Sequence, residues 1–266
     1  PIPGCSQTTL DFVGGLPWLS FHLNKVAFGA ANCGVSGVYT ALAGGTQKQR
    51  IANLATPANY RNSSIFSAPA LYDSRVVYTA GNVFGSTALF LGPVSTTGDP
   101  DKILANLETP YPDSSGRKIG AFGTSRLWNQ SVVFAAQRDD GLNGILSTNL
   151  SGAAPRLIAN TNTVVPAYGG TFTQFPGYTV SGTIPGGSRI VLHGTSSSIP
   201  VAGNGLFQSR KGKLRKVVAD GDAIASSQVC RIDTLSAQAL SRAKLVFATA
   251  PFGGCAPGGI FTADLN

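Results

Sequence analysis

Apolar residues gather in short runs that recur along the chain. The most regular run is six residues long: KVAFGA (Lys25–Ala30), RVVYTA (Arg75–Ala80), SVVFAA (Ser131–Ala136), RIVLHG (Arg189–Gly194) and KLVFAT (Lys244–Thr249). Its aromatic or leucine position falls at 28, 78, 134, 192 and 247, in steps of 50, 56, 58 and 55 residues. A second run follows each of these: GVY at 37–39, ALF at 88–90, GIL at 144–146, GLF at 205–207 and GIF at 259–261. A third closes four of the five copies, as RIAN (50–53), ILAN (103–106), LIAN (157–160) and VVAD (217–220). Upstream of the first run lies a less regular apolar segment, clearest at 12–19, 66–71 and 122–127. Runs this short, rich in β-branched and aromatic residues and bounded by Gly, Asn and Ser, predict strands joined by tight turns.

Each repeat thus predicts four strands, named a to d from the inside outward. A four-stranded sheet cannot bury both faces alone, so successive copies must stack, and radial stacking gives a β-propeller. The expected fold is all-β: a five-bladed propeller of four-stranded antiparallel blades, one domain over residues 1–266, with blades at about 10–54, 64–107, 120–161, 172–221 and 230–266. Even spacing of four-strand units argues against a linear solenoid or two packed sandwiches. The fifth copy shows strands a, b and c but no fourth run before Asn266. Three readings are open: the last blade is three-stranded with a covered edge, residues beyond the ends supply the strand, or a strand of another subunit completes it by β-augmentation. The opening PIPGCSQ reads as the start of a processed mature protein or an excised domain.

Composition agrees with strands. The chain has 33 glycines, no methionine and a single glutamate, Glu108, where helices would favour Glu, Met and Leu. No run approaches eighteen uninterrupted apolar residues, so no membrane-spanning helix is expected. Four cysteines and loops rich in Ser, Thr and Asn predict an oxidising, secreted or cell-surface setting. In an up-and-down blade the d–a connection and the b–c hairpin emerge on one face. Cys5 and Cys230 each precede a strand a, and Cys33 and Cys255 each lie in a b–c hairpin. All four are expected on that face as structural disulfides, each worth about 2–4 kcal/mol. The within-blade pairing Cys5–Cys33 with Cys230–Cys255 is preferred, and Cys33–Cys255 with Cys5–Cys230 stays open. Asn62, Asn129 and Asn149 stand in Asn-x-Ser sequons that permit glycosylation.

Charge adds a pattern. The net charge of +8 comes from 20 basic and 12 acidic residues, and suits either a polyanionic partner or an ordinary soluble surface. Lys25, Arg75, Arg189 and Lys244 each stand directly before a strand b, and the fourth c–d hairpin, QSRKGKLRKVV, brings Arg210, Lys211, Lys213 and Arg215. The a–b and c–d turns share a face opposite the cysteines, so these side chains predict a basic face for an anionic glycan or an acidic partner surface. Hairpin capping by ordinary surface charge is the competing account. No aromatic-plus-basic motif points to nucleic acid.

Catalytic chemistry has little to stand on. Glycoside hydrolysis needs two facing carboxyl groups; Asp11, Asp73 and Asp233 lie near inner strands, and Glu108 sits in a loop beyond strand d of blade 2. Nothing matches GxSxG, His22 and His193 fall in different blades, and the glycine-rich pieces lack a strand–loop–helix context. Asp139-Asp140 open an incomplete calcium-like loop. No metal or cofactor is expected. Trp18, Tyr72, Tyr111 and Trp128 could stack on sugars, although Tyr72 and Trp128 occupy equivalent repeat positions, where packing is the commoner role.

The pattern VAF…GVY…IAN…TP…F…P.LY…RVVY resembles the β-propeller-type repeats of poorly characterised secreted and cell-surface proteins, chiefly bacterial. The resemblance covers nearly the whole chain and implies the fold; it carries no catalytic residues. Lectins of the five-bladed tachylectin type are similar only as a fold. The expectation is a non-catalytic extracellular protein that binds glycans or assembles with neighbouring subunits through the open edge of blade 5. The alternative is a carbohydrate-active hydrolase or lyase with its active site on the axis.

Overall fold

The computed structural model describes residues 19–32, 35–42, 44, 46, 49–53, 65–66, 69–82, 85–93, 102–184, 187–224, 227–234, 240–241, 243–251 and 258–265. The fold is a five-bladed β-propeller with blades of three or four antiparallel strands. Blade 1 is β1 (Leu19–His22), β2 (Lys25–Asn32), β3 (Val35–Leu42) and β4 (Gln49–Asn53), paired in chain order. In blade 2 the inner strand is broken into β5 (Ile65–Phe66) and β6 (Ala70–Tyr72), both pairing β7 (Arg75–Asn82); β8 (Gly85–Pro93) and β9 (Lys102–Asn106) follow. Blade 3 comprises β10 (Ile119–Trp128), β11 (Ser131–Arg138), β12 (Asn143–Asn149) and β13 (Arg156–Asn160). Blade 4 comprises β14 (Gln174–Ile184), β15 (Gly187–Thr195), β16 (Asn204–Arg210) and β17 (Lys213–Ala219). A small hairpin, β18 (Ala223–Ile224) with β19 (Ser227–Gln228), leads into blade 5. There β20 (Ile232–Thr234) and β21 (Leu240–Ser241) together make the inner strand against β22 (Lys244–Thr249), which pairs β23 (Gly259–Asp264).

The repeated aromatics explain the register. Phe28 lies opposite Tyr39, Tyr78 opposite Phe90, and Phe247 opposite Phe261. Their rings stack at centroid separations of 5.8, 5.4 and 5.8 Å. The first and second sequence runs are therefore cross-strand partners, each pair burying two large apolar faces on one side of a blade. In blade 4 the pair is Leu192 with Phe207; Phe207 instead meets Phe172 edge-on at 5.0 Å.

The chain forms two compact units, residues 1–141 with 146–156 and residues 142–145 with 157–266. In the first, the small residues Ala27 and Val38 of blade 1 pack on Leu71, Val76, Tyr78 and Phe90 of blade 2, all nearly or fully buried. In the second, Val191, Leu206 and Val218 of blade 4 pack on Ile232, Leu245 and Phe247 of blade 5, with Leu265 closing the cluster. In blade 2 strand b supplies the most buried residues because it lies inside its sheet and is covered on both faces: Val76, Val77, Tyr78 and Ala80 are all at zero exposure.

The third run ends in a turn cap. The Asn106 side-chain oxygen accepts from the Glu108 amide and the Thr109 hydroxyl, at 3.0 and 3.1 Å. Asn160 repeats this with Asn162 and Thr163. Side chains of this kind reproduce a backbone turn and end the strand.

The disulfide expectation is corrected. No disulfide joins described residues: Cys230 is buried, and its thiol lies 3.5 Å from the Gln228 carbonyl as donor. It is 3% exposed, beside Val229 and Ile232, where a cysteine serves as a small apolar side chain. Cys5, Cys33 and Cys255 lie outside the described residues.

Candidate functional site

The a–b hairpins set the geometry of one face. Leu23, Asp73 and Asn129 each take a positive φ near 50° as first residue of a two-residue turn. Such turns follow the twist of the strands and bring the next residue, Lys25, Arg75 or Ser131, to the start of strand b. The residues just before the turns are His22, Tyr72 and Trp128. They form a ladder across blades 1, 2 and 3, with ring centroids 4.3 Å apart for His22–Tyr72 and 5.1 Å for Tyr72–Trp128. All three are half-buried, so the equivalent repeat positions serve packing and keep part of each side chain exposed.

Beside this ladder, between blades 2 and 3 and within the first unit, lies a cleft of about 490 Å³. One wall is Tyr72, the turn Asp73-Ser74, Arg75, Leu91 and Lys102; the other is Asn129, Gln130, Leu150 and Ser151. The a–b and c–d turns of blade 3 are tied together by the Leu150 amide, which donates to the Gln130 carbonyl at 3.3 Å. Lys102 reaches across to donate to the Ser151 carbonyl at 2.6 Å. Ser151 is itself held by Asn149, whose side-chain oxygen accepts from its amide and hydroxyl at 3.0 and 2.5 Å. From blade 1, Lys25 donates to the Asp73 carbonyl at 3.5 Å and adds a cation to the rim. The cleft lining thus combines one tyrosine, two amides, two serine hydroxyls, two cations and a single carboxylate, Asp73, with Lys25 as a third cation at the rim.

The expected basic residues take different roles. Arg75 is exposed and lines the cleft; Lys102, outside the expected set, joins it there. The blade 4 hairpin exposes Lys211, Lys213 and Arg215 and half-exposes Arg210. Lys244 is exposed and pairs with Asp264 at 3.8 Å. Arg189 turns inward: it is 5% exposed and donates to the Leu265 carbonyl, and burial followed by the nearby Arg210 charge disfavours its ionised form. Of the sequon residues, Asn129 forms part of the cleft wall and Asn149 is exposed, while Asn62 lies outside the described residues.

Other candidates resolve into structure. Tyr111 is 1% exposed and lies under the Arg138 guanidinium, 5.9 Å from its ring centre. Arg138 binds Asp140 through two bonds of 2.7 Å and Asp113 through one of 2.6 Å, so the Asp139-Asp140 loop serves an ion-pair cluster. Glu108 is exposed and paired with Lys118. Among the described residues no group of three or more His, Cys, Asp or Glu is placed to hold a metal ion. His193 is buried, with Nε2 3.3 Å from the Asn204 side-chain oxygen; burial lowers its pKa, opposed by that bond and by Asp220 and Asp233. Trp18 and Asp11 lie outside the described residues.

Comparisons with known proteins show the fold and no family. No family model matches the chain, and no curated protein matches it either. Solved structures do. The propeller domain of the Trilobed protease from Pyrococcus furiosus matches with a TM-score of 0.52 at 9% identity, over 96% of this chain and 68% of that one. TolB from Acinetobacter baumannii gives 0.50 at 14%, over 91% and 50%. A puromycin hydrolase gives 0.52 at 12%, over 91% and 35%. The chain thus spans about half of TolB and about a third of the hydrolase, and the shared fold serves enzymes and other proteins alike. Among the described residues no helix is long and apolar enough to cross a membrane.

Proposed function

We propose that this is a secreted or cell-surface binding protein that recognises an anionic glycan in the cleft between blades 2 and 3. One observation carries the reading: Tyr72, Arg75, Lys102, Asn129, Gln130 and Ser151 converge on one open cleft. Sugar recognition uses an aromatic face for the ring's C–H side and amides and hydroxyls for its hydroxyl groups. Arg75 adds a planar fork that suits a carboxylate or sulfate, and Lys102 adds a point charge. In the second unit the blade 4 hairpin carries exposed cations of its own, Lys211, Lys213 and Arg215.

The test is calorimetric titration of the chain with heparin-derived and oligogalacturonate fragments. Binding is expected with one or both anionic series and not with neutral glucans of equal length. The double variant Arg75→Ala/Lys102→Ala should weaken it by about 2–4 kcal/mol, the loss of two charge-assisted contacts. Unchanged affinity in that variant, or no binding at all, overturns the reading.

A second reading is the hydrolytic one, a carbohydrate-active hydrolase or lyase acting at the propeller axis. Its support is that a puromycin hydrolase is among the structures sharing the fold at a TM-score above 0.5, as is the propeller domain of a protease. The cleft itself offers one carboxylate, Asp73, so this chemistry would need another place on the molecule. Release of reducing ends from the bound glycan during the same titrations would put this reading first.

A further inference from the structure

Four of the five blades finish in an outermost strand that begins with or near a cation: Arg50 in β4, Lys102 in β9, Arg156 in β13 and Lys213 in β17. Charge on an edge strand discourages pairing with further strands. Blade 5 departs from this. Among the described residues β23 pairs only with β22, and Gly259–Asp264 contains no Lys or Arg. One face of that pair is directed into the core through Leu245, Phe247, Phe261 and Ala263. The other exposes Val246 at 43% and Ile260 at 79%.

The charge at the strand end is also inverted. Strand c of blade 4 ends in Arg210, which stands opposite Lys213, the first residue of its outer strand. The corresponding residue of blade 5 is Asp264, so a strand laid against β23 in the same register would set its first residue opposite a carboxylate. Lys244 approaches Asp264 from the inner side at 3.8 Å, and the Asp264 side chain remains 65% exposed.

The residue after Asp264 shows how the chain leaves β23. In blade 4 the chain turns back through Lys211, exposed and at φ 50°. In blade 5 the matching residue, Leu265, is 2% exposed within the core cluster. Its amide donates to the Ala243 carbonyl at 2.6 Å and its carbonyl accepts from buried Arg189. Leu265 is thus pinned inward and does not lead into a two-residue return along β23.

We propose that the outer edge of β23 is completed in trans by an extended strand of a different protein, since this chain's own strands of matching pattern are already paired within their blades. It runs antiparallel to β23, with Lys or Arg opposite Asp264 followed by apolar residues, the chemistry of the molecule's own KILAN and RLIAN strands. The test uses the full chain and a fluorescein-labelled peptide DKILANLE, read by fluorescence anisotropy. Saturable binding is expected, weakened at least about tenfold by Thr262→Lys and by Asp264→Lys. Both positions are exposed, so far-UV circular dichroism should show both variants folded. A peptide with Glu in place of its Lys should bind Asp264→Lys better than it binds the wild type. The absence of saturable binding, or equal binding by the variants, overturns the proposal. So does a homodimer in native mass spectra that Thr262→Lys abolishes, since a second copy would then hold the edge.

Discussion

Asp220 departs from the Asn found at the end of the third run in blades 1 to 3. Its Oδ2 accepts from the Asn204 amide and side chain at 2.8 and 2.9 Å, and its Oδ1 accepts from the Ile232 amide at 2.8 Å. Both oxygens act as acceptors, so an amide would turn a donor toward a donor. Burial raises the Asp220 carboxyl pKa against these bonds. Asp220→Asn should destabilise the protein by about 1–3 kcal/mol, read by chemical denaturation. Leu23 runs the other way: it is 85% exposed and held at φ 53°. Leu23→Asn should raise stability by about 0.5–1 kcal/mol, seen as a higher Tm, because Asn tolerates the left-handed region. Asp113 supplies a pH dependence. Burial raises its pKa, but the Ser115 hydroxyl and amide and the Arg138 guanidinium outweigh this and hold it below the ordinary value of 3.8. A carboxylate depressed in the folded state stabilises above the ordinary range, and that contribution is lost as pH falls through its folded value. Arg138→Gln should therefore lower Tm at pH 7 and show a smaller further drop between pH 5 and pH 2 than the wild type.

At the scale of elements, strands b, c and d were legible, and strand a only in outline. The paired runs place an aromatic opposite an aromatic, as at Tyr78 and Phe90, and this periodicity survives in the structure because both residues fill the same inter-sheet layer. The inner strands of blades 2 and 5 are each split in two. Their residues are small and irregular, and no alternation marks where pairing lapses. Glycine marks another feature that spacing does not reveal. A Cβ on Gly194 would stand 2.5 Å from the Phe172 ring, which lies against strand b of blade 4. Gly194→Ala should cost about 1–3 kcal/mol by overpacking, measured by thermal denaturation, with Phe172→Leu in the same chain recovering part of the loss. The tie between Lys102 and Ser151 was equally hidden, because it joins two blades whose turns lie 49 residues apart in sequence.

For the whole molecule, the net charge of +8 bears on how a ligand arrives. A polyanion should be drawn to the protein at long range, and exposed cations such as Arg75 and Lys211 are screened by salt. Affinity for a sulfated fragment should fall steadily between about 50 and 300 mM salt, and a smaller slope is expected for Arg75→Ala/Lys102→Ala. The repeat, its five copies and the all-β class were fixed by the chain's own pattern, since burial of alternate residues must show wherever a sheet has a core face. Sequence also placed Arg75 at the start of a strand b, and it is the first residue of β7. Tertiary structure alone decided which cations stay available: Arg189 occupies the same repeat position as Arg75, yet it is consumed by the Leu265 carbonyl. It also placed Cys230 in a buried apolar neighbourhood, with its thiol directed at the Gln228 carbonyl. The physical reason is common to both. Periodicity records which face of a strand is buried, whereas the partner of a polar or sulfur atom depends on residues brought near by other blades.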